Sequence, residues 1–346
     1  MCTRVHYWYL FFNSVISRTA RRAFFWTMLV LYVITAALLL LFGNGYRVQI
    51  PGFKILRTGN LLITFVPTRS NVLLDGSLVD TSAPSRVRAV FPGNHTVAIM
   101  APGFFPYSQP ITVQPMRTTF VSDVYLLEKH DAVLVSSSTS FTAPAELIAP
   151  TSTVVNGSLL SVSSTPAGGT IITNGTNPLT RDLGIGSWRI AGGDGRYFAI
   201  TRLDASQTQF RLWSSPDSIA FSVPGTHLLD HSWNNINAIS VHLVFTPFEL
   251  WEVNPNSGAA TLLSRLSKPI ITVLPVPQTA VALAVLPDEI IAYQLADTLN
   301  VPISIAHAPE GAEIVSASLN TAGGVITYTT KKGAEYSTWT QVILTR

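Results

Sequence analysis

The sequence is poor in cysteine and in charged residues. Its 346 residues include one cysteine, Cys2, and 12% of them are charged. A single cysteine excludes an intramolecular disulfide and any zinc site built from several cysteines. Because 47% of the residues are hydrophobic, the chain has enough apolar surface to bury a core, and global disorder is excluded as well.

Acidic residues are absent from the first 42 positions, which hold four basic residues: Arg4, Arg18, Arg21 and Arg22. From residue 43 onward, 18 basic residues stand against 19 acidic ones. The formal net charge of +3 therefore comes from the N-terminal tail, and the rest of the chain is close to neutral. Nucleic-acid binding needs a clustered cationic face, so we expect no nucleic-acid partner.

Recognisable catalytic and phosphate-binding motifs are also absent from the sequence. The only close histidine pair is His227 and His231, with Asp230 between them. On a helix these residues would share a face and could bind a metal, whereas on a strand the two histidines would lie about 13 Å apart. The surrounding sequence favours strands. We therefore expect no metal site, no catalytic residue and no cofactor, and predict that the protein is not an enzyme.

One long hydrophobic run is present, from Ala23 to Phe42, and it contains no charged residue. A helix of this length spans roughly 30 Å, the thickness of the hydrocarbon core of a bilayer. The run is longer than the apolar part of a cleaved signal peptide, and no small-residue cleavage site follows it. It predicts a transmembrane helix over 23–42 that acts as an uncleaved signal anchor, with the lipid bilayer as its partner.

The orientation of this anchor is predicted from its flanks. Arg21 and Arg22 directly precede the helix, whereas the basic residues on the other side begin at Arg47. Long domains are translocated largely regardless of their charge. We expect a cytoplasmic tail over 1–22, a connector over 43–59, and all later residues on the outer side of the plasma membrane.

Short β-type runs follow between residues 60 and 129. They cover 61–66, 71–74, 87–91, 96–100, 111–113 and 118–126. Turn pairs such as Asp75-Gly76, Pro92-Gly93 and Pro102-Gly103 separate them. This pattern predicts an all-β sandwich of about 70 residues, in which Asp75-Gly76 supplies a two-residue hairpin turn.

The same region resembles a PEGA domain, a small β-sandwich of bacterial and archaeal envelope proteins. The matching residues are Pro67, Val72, Leu74, Asp75, Gly76, Pro84, Pro92, Gly93, His95, Val97, Ile99, Gly103 and Phe104. Two stretches depart from the family pattern. Thr68, Arg69 and Ser70 stand where Glu-Gly-Ala would follow the proline, and Thr81–Pro84 stands where Thr-Pro is usual. The resemblance implies association with the cell envelope and no chemistry of its own.

The C-terminal region is rich in serine, threonine, glycine and valine, and aromatic residues recur in it at a regular spacing. Strand-like segments centre on Trp213, Trp251, Tyr293 and Trp339, a period typical of four-stranded β-propeller blades. We predict a linker over 130–144 and a β-propeller-like domain of some five blades over 145–346. A pair of β-sandwiches is the alternative fold. We expect the recurring tryptophans to be packing residues.

These features together predict a membrane-anchored binding or scaffolding protein of the bacterial cell surface. Its expected partner is an envelope protein or a glycan. Two alternatives remain open at this point. One is a sensor ectodomain that acts through a membrane partner, because only 22 residues precede the helix. The other is a glycan-active envelope enzyme whose acidic residues meet in the β-repeat domain.

Overall fold

The computed structural model describes residues 18–49, 54–142, 152–155, 157–193, 197–225, 227–232, 240–254, 259–295, 302–320 and 322–345. Within these ranges it contains one α-helix and 29 β-strands. The prediction of an all-β protein with one N-terminal helix is confirmed. The chain divides into two compact units, Met1–Leu62 with Arg86–His95 and Ile111–Phe120, and Ile63–Ser85 with Thr96–Pro110 and Val121–Arg346.

In the first unit, helix α1 (Arg18–Gly43) contains the predicted span 23–42. Its most apolar stretch is not buried anywhere in the protein. The hydroxyl groups of Thr27 and Thr35 donate to the carbonyl oxygen four residues earlier, at 2.9 and 2.7 Å, so neither is left unsatisfied in an apolar medium. This helix is a candidate membrane anchor or signal sequence. Residues 1–17 of the predicted tail lie outside the described part of the chain.

A hairpin follows the helix in the same unit. Strand β1 (Tyr46–Gln49) pairs antiparallel with β2 (Lys54–Arg57). The helix ends at Gly43, and Gly45 takes a positive φ of 79°, which glycine adopts without steric cost. The predicted connector therefore contains regular structure, although its turn pair, Pro51-Gly52, lies outside the described residues.

The region predicted as a small sandwich contains two sheets, one of three strands and one of four. The strands are β3 (Gly59–Val66), β4 (Asn71–Leu74), β5 (Ser77–Asp80), β6 (Ser85–Val90), β7 (Gly93–Met100), β8 (Tyr107–Val113) and β9 (Thr118–Tyr125). Their orders are β6-β3-β9 and β5-β4-β7-β8. Alternate residues of β8 are buried, as expected for strands with one face in a core. The sequence did not predict β5, because its two apolar residues, Leu78 and Val79, are exposed.

The Asp75-Gly76 turn has the predicted form. Both residues have positive φ values, 51° and 79°, and Leu74 pairs with Ser77 across the turn. Two positive φ values give the backbone twist that matches a tight antiparallel hairpin. The turn therefore fixes the register of β4 and β5.

The remaining strands form five four-stranded antiparallel sheets, which we name blades 1 to 5. Blade 1 contains β11 (Ser152–Val155), β12 (Ser158–Ser164), β13 (Thr170–Asn174) and β14 (Asn177–Pro178). Blade 2 contains β15 (Trp188–Gly193), β16 (Tyr197–Arg202), β17 (Gln207–Leu212) and β18 (Ser215–Pro224). Blade 3 contains β19 (His227–Ser232), β20 (Ser240–Phe245), β21 (Glu249–Val253) and β22 (Ala260–Arg265).

Blade 4 contains β23 (Thr272–Val276), β24 (Val281–Val285), β25 (Glu289–Gln294) and β26 (Ile303–His307). Blade 5 contains β27 (Glu313–Leu319), β28 (Val325–Lys332), β29 (Glu335–Val342) and β10 (Val133–Ser138). The fold is propeller-like in that one four-stranded plan repeats five times along the chain.

The predicted linker is corrected in part by blade 5. Residues Val133–Ser138 form β10, which pairs with β29 at the edge of the sheet. These residues belong to the repeat region, because an edge strand that precedes the first blade in sequence completes the last blade in space. Residues 143–144 lie outside the described part of the chain, and the other domain boundaries stay predictions.

The aromatic repeat corresponds to the third strand of successive blades. Trp213 directly follows β17, and Trp251, Tyr293 and Trp339 lie in β21, β25 and β29. All four side chains pack against apolar clusters, so their predicted packing role is confirmed. Blade 1 has no aromatic residue in its third strand, and for this reason the spacing did not reveal it.

Consecutive blades share apolar clusters. Leu160 of blade 1 packs with Phe198 of blade 2, and Phe210 of blade 2 packs with Val244 of blade 3. Blades 3 and 4 share a cluster around Leu243 and Tyr293, and a further cluster joins blades 4 and 5. The hydrophobic effect therefore holds the blades face to face.

Candidate binding site

A depression of about 390 Å³ lies in the small β-region, within the second unit. Its polar lining comes from Arg69, Ser70, Asn71, Thr81 and Ser82. Met100 and Pro102 add an apolar patch. The volume lies within the range of small-molecule sites. We name this feature the Arg69 depression.

Strand ends bring these residues together. Asn71 begins β4 and pairs in register with Met100, the last residue of β7. Thr81 directly follows Asp80, which ends β5. Arg69 and Ser70 lie between β3 and β4. The lining residues therefore lie together at the ends of these strands, although they are up to 33 positions apart along the chain.

Hydrogen bonds fix the two loops that line the Arg69 depression. The amide of Ala83 donates to the carbonyl oxygen of Thr68 at 2.8 Å and so joins the two loops. The buried hydroxyl of Ser70 donates to the carbonyl oxygen of Pro67 at 2.9 Å. Hydrogen bonds within the protein therefore fix the positions of these loops without a ligand.

Asp80, which directly precedes Thr81 of the lining, accepts hydrogen bonds from its own loop. The backbone amide of Thr81 donates to it at 2.7 Å, and this bond, together with hydroxyl donors that include Ser82, lowers the pKa of Asp80. Arg69 forms no ion pair with any acidic residue in the part of the chain that the structure describes. Its exposed guanidinium is thus a charge available to an anion.

The predicted strand at the histidine pair is confirmed. His227, Asp230 and His231 all lie in β19, in register with Phe245, His242 and Val241. Among the described residues, no group of three metal-ligating side chains is present. The absence of a metal site stays a prediction.

Sequence reasoning missed a titratable group between blades 3 and 4. Glu252 lies opposite Leu243 in the β20–β21 register, and cross-strand partners share a face. Leu243 belongs to the cluster between these blades, so Glu252 points toward apolar surroundings. Burial raises the pKa of Glu252 to about 7. Leu250 and Glu252 are two positions apart in β21 and therefore share a face. This spacing is the signal in the sequence that could have revealed Glu252.

The segment after β9 joins the small β-region to the blades. The side-chain amide of Gln294 in blade 4 donates to the carbonyl oxygen of Tyr125 at 2.6 Å and accepts from its amide at 3.3 Å. Both carboxylate oxygens of Glu128 accept hydrogen bonds from Thr345, at 2.7 and 2.8 Å. Leu127 is buried in the cluster between blades 4 and 5. This segment therefore acts as a fixed joint, which we name the 125–128 joint.

Comparison with known proteins identifies part of the chain. The PEGA domain family model matches residues 58–125, about a fifth of the chain. The resemblance noted from the sequence is confirmed. A search of the curated proteins found no match.

Several solved structures are partly similar to this chain. Hsv2p of Kluyveromyces lactis is 11% identical, with a TM-score of 0.34, and the match covers 68% of each chain. The Pan2 WD40 domain of Neurospora crassa is 9% identical, with a TM-score of 0.32, over 84% of this chain and 92% of that one. An oligogalacturonate lyase in complex with manganese is 12% identical, with a TM-score of 0.32, over 51% and 56%. At these TM-scores the similarities carry no argument about fold or function.

Proposed function

We propose that this protein is a membrane-anchored binding or scaffolding protein of the cell envelope. In this proposal α1 crosses the plasma membrane once, with its N-terminus in the cytoplasm. The PEGA-like region and the five blades lie on the outer side and present surfaces to an envelope protein or glycan.

The observation that carries this proposal is the 125–128 joint. A flexible tether would leave two β-regions free to move, whereas Gln294 and Glu128 fix the joint through side-chain hydrogen bonds. Because the side chain of Gln294 is 3% exposed, breaking its half-buried bonds would leave polar groups without partners, which is costly. A segment that is fixed to the blades in this way suits a scaffold that positions partners. The exposed apolar helix supplies the attachment.

The topology can be tested by labelling, because Cys2 is the only cysteine. Ser138 is exposed in β10, so Ser138→Cys gives a reporter on the predicted outer side. Intact cells are treated with a membrane-impermeant maleimide. We expect position 138 to be labelled and Cys2 to stay protected until the cells are lysed. Labelling of Cys2 alone in intact cells would contradict the assignment.

The partner class can be tested by crosslinking in the native cells. A photoreactive group at an exposed position of the small β-region, such as Leu78, should capture an envelope component. A matched group at Tyr32, within α1, should capture membrane components instead. Capture of cytoplasmic proteins from position 78 would argue against the proposal.

A further inference from the structure

We propose that the Arg69 depression binds the carboxylate of an acidic sugar. This inference rests on the proposed function, since it names the ligand class of one of the presented surfaces. It goes beyond the family match, because the residues that carry it are those in which this chain departs from the PEGA pattern.

Two departures that are distant in sequence meet in this one place. The first puts Arg69 where the pattern has glycine, so that a cationic side chain stands where none would be. The second lengthens Thr-Pro to Thr81–Pro84 and thereby inserts Ser82. Both residues line the depression, and the hydrogen bond from Ala83 to Thr68 holds their loops together.

The lining favours a carboxylate on a polyhydroxylated ring. A guanidinium presents paired N–H donors that match the two oxygens of a carboxylate. Thr81 and Ser82 supply hydroxyl groups, and Asn71 supplies an amide that can both donate and accept. Met100 and Pro102 offer an apolar patch for the C–H face of a sugar. The volume of about 390 Å³ accommodates a unit of monosaccharide size.

In the part of the chain that the structure describes, no acidic residue forms an ion pair with the guanidinium of Arg69. The depression has no acidic residue in its lining. Asp80 adjoins Thr81 and keeps its negative charge, but it does not line the depression, and its carboxylate accepts from the amide of Thr81 and from Ser82. An incoming carboxylate would therefore replace water at Arg69 and would not have to displace an internal ion pair.

Calorimetric titration of the full chain in detergent micelles tests the proposal. The probes are glucuronate, its neutral methyl ester, and the peptide carboxylate N-acetyl-alanyl-alanine. We expect glucuronate to bind at least about tenfold more tightly than the ester, since only the acid can pair with Arg69. Tighter binding of the peptide, equal binding of the ester, or no binding of glucuronate would each overturn the proposal.

Substitutions assign the binding to this depression. Arg69→Gln should weaken glucuronate binding by about tenfold or more, and Arg69→Lys by roughly threefold, because lysine keeps the charge and loses the paired geometry. Arg88→Gln is the matched control, as Arg88 is exposed in β6 and does not line the depression. Equal losses at positions 69 and 88 would show non-specific attraction and overturn the assignment. If binding fails while the labelling and crosslinking results hold, the ligand proposal falls and the proposed function stands.

Discussion

Blades 1 and 4 share one strand plan but differ in how many of their faces are buried. Strand β24 of blade 4 is buried at every position, and its residues alternate between two apolar clusters. In β12 of blade 1, Leu160 is fully buried, whereas the adjacent Leu159 is 55% exposed. Leu159 pairs with Val154, which is 67% exposed.

The difference shows that a blade is stabilised by its neighbours more than by its own strands. Blade 4 packs on both faces, against blades 3 and 5. The described apolar packing of blade 1 lies on the face toward blade 2, and its opposite face carries a hydroxyl cluster of Ser161, Ser163 and Thr173. Because apolar burial dominates the favourable free energy of folding, blade 1 should be the less stable of the two.

The largest expected effect follows from Leu283→Ala in β24. Leu283 is fully buried, so the substitution leaves a cavity and should lower the free energy of unfolding by about 2 to 5 kcal/mol. Denaturant unfolding of the full chain in detergent, followed by tryptophan fluorescence, measures the change. A loss below about 1 kcal/mol would contradict the tight packing inferred for blade 4.

A pH-dependent effect is expected from Glu252→Gln, at the face shared with blade 4. Burial raises the pKa of Glu252 from 4.5 to about 7, so the folded chain holds this proton more tightly than the unfolded chain. The stabilising contribution is therefore complete below pH 4.5 and is lost as the pH rises to about 7. Glutamine should remove this dependence and raise the free energy of unfolding above pH 7, by at most about 3 kcal/mol.

Unfolding of the Glu252→Gln variant at a series of pH values tests this expectation. Glu335→Gln serves as the matched control, because Glu335 is exposed at the start of β29. Equal pH profiles for the Glu252→Gln variant and the parent chain would show that the blade 3–4 interface is wetter than its apolar lining indicates.

A smaller effect is expected from Gln294→Ala, which releases the 125–128 joint from blade 4. Gln294 is 3% exposed and bonds both backbone groups of Tyr125, so its loss should cost about 1 to 3 kcal/mol. Limited proteolysis near residue 125, together with denaturant unfolding, measures the release. Gln207→Ala removes one weaker bond, to Ser222 at 3.2 Å, and should cost less. If both variants lose the same free energy of unfolding, the 125–128 joint has no special role in stability.

The smallest effect is expected from Leu159→Ala, within about 0.5 kcal/mol of the parent, since most of its surface is already in water. Leu160→Ala is the matched comparison and should cost about 2 to 5 kcal/mol, because this neighbour is fully buried. Denaturant unfolding distinguishes them. A large cost at position 159 would mean that this face of blade 1 is covered in solution, which would abolish the contrast between the two blades.

The sequence predicted those features that depend on residues close together in the chain. The helix over 23–42, the Asp75-Gly76 turn and most strands of the small β-region follow from hydrophobic length, positive φ and alternation. Strand β5 was missed because its side chains are exposed and give no alternation. Blade 1 was included in the predicted count of five blades, but the aromatic spacing did not locate it, because its third strand lacks the aromatic residue that marks the other blades.

The Arg69 depression could not be predicted in the same way. The sequence showed two departures from the PEGA pattern, at Thr68–Ser70 and Thr81–Pro84, but gave no sign that they meet. Their proximity depends on the register of β4 with β5 and with β7, because this pairing places the two loops at the same end of the sheet. The depression is therefore a product of strand pairing.

The sequence by itself determined the apolar helix, the all-β character and the repeat of the blades, because these depend on residue order over a few to a few dozen positions. Only the tertiary structure decided that β10, lying in the predicted linker, completes blade 5, and that Glu252 is half-buried on the face toward blade 4. It also decided which of Leu159 and Leu160 is covered. The physical reason is that pairing and burial join segments far apart in the chain, and no local pattern records which of them become neighbours.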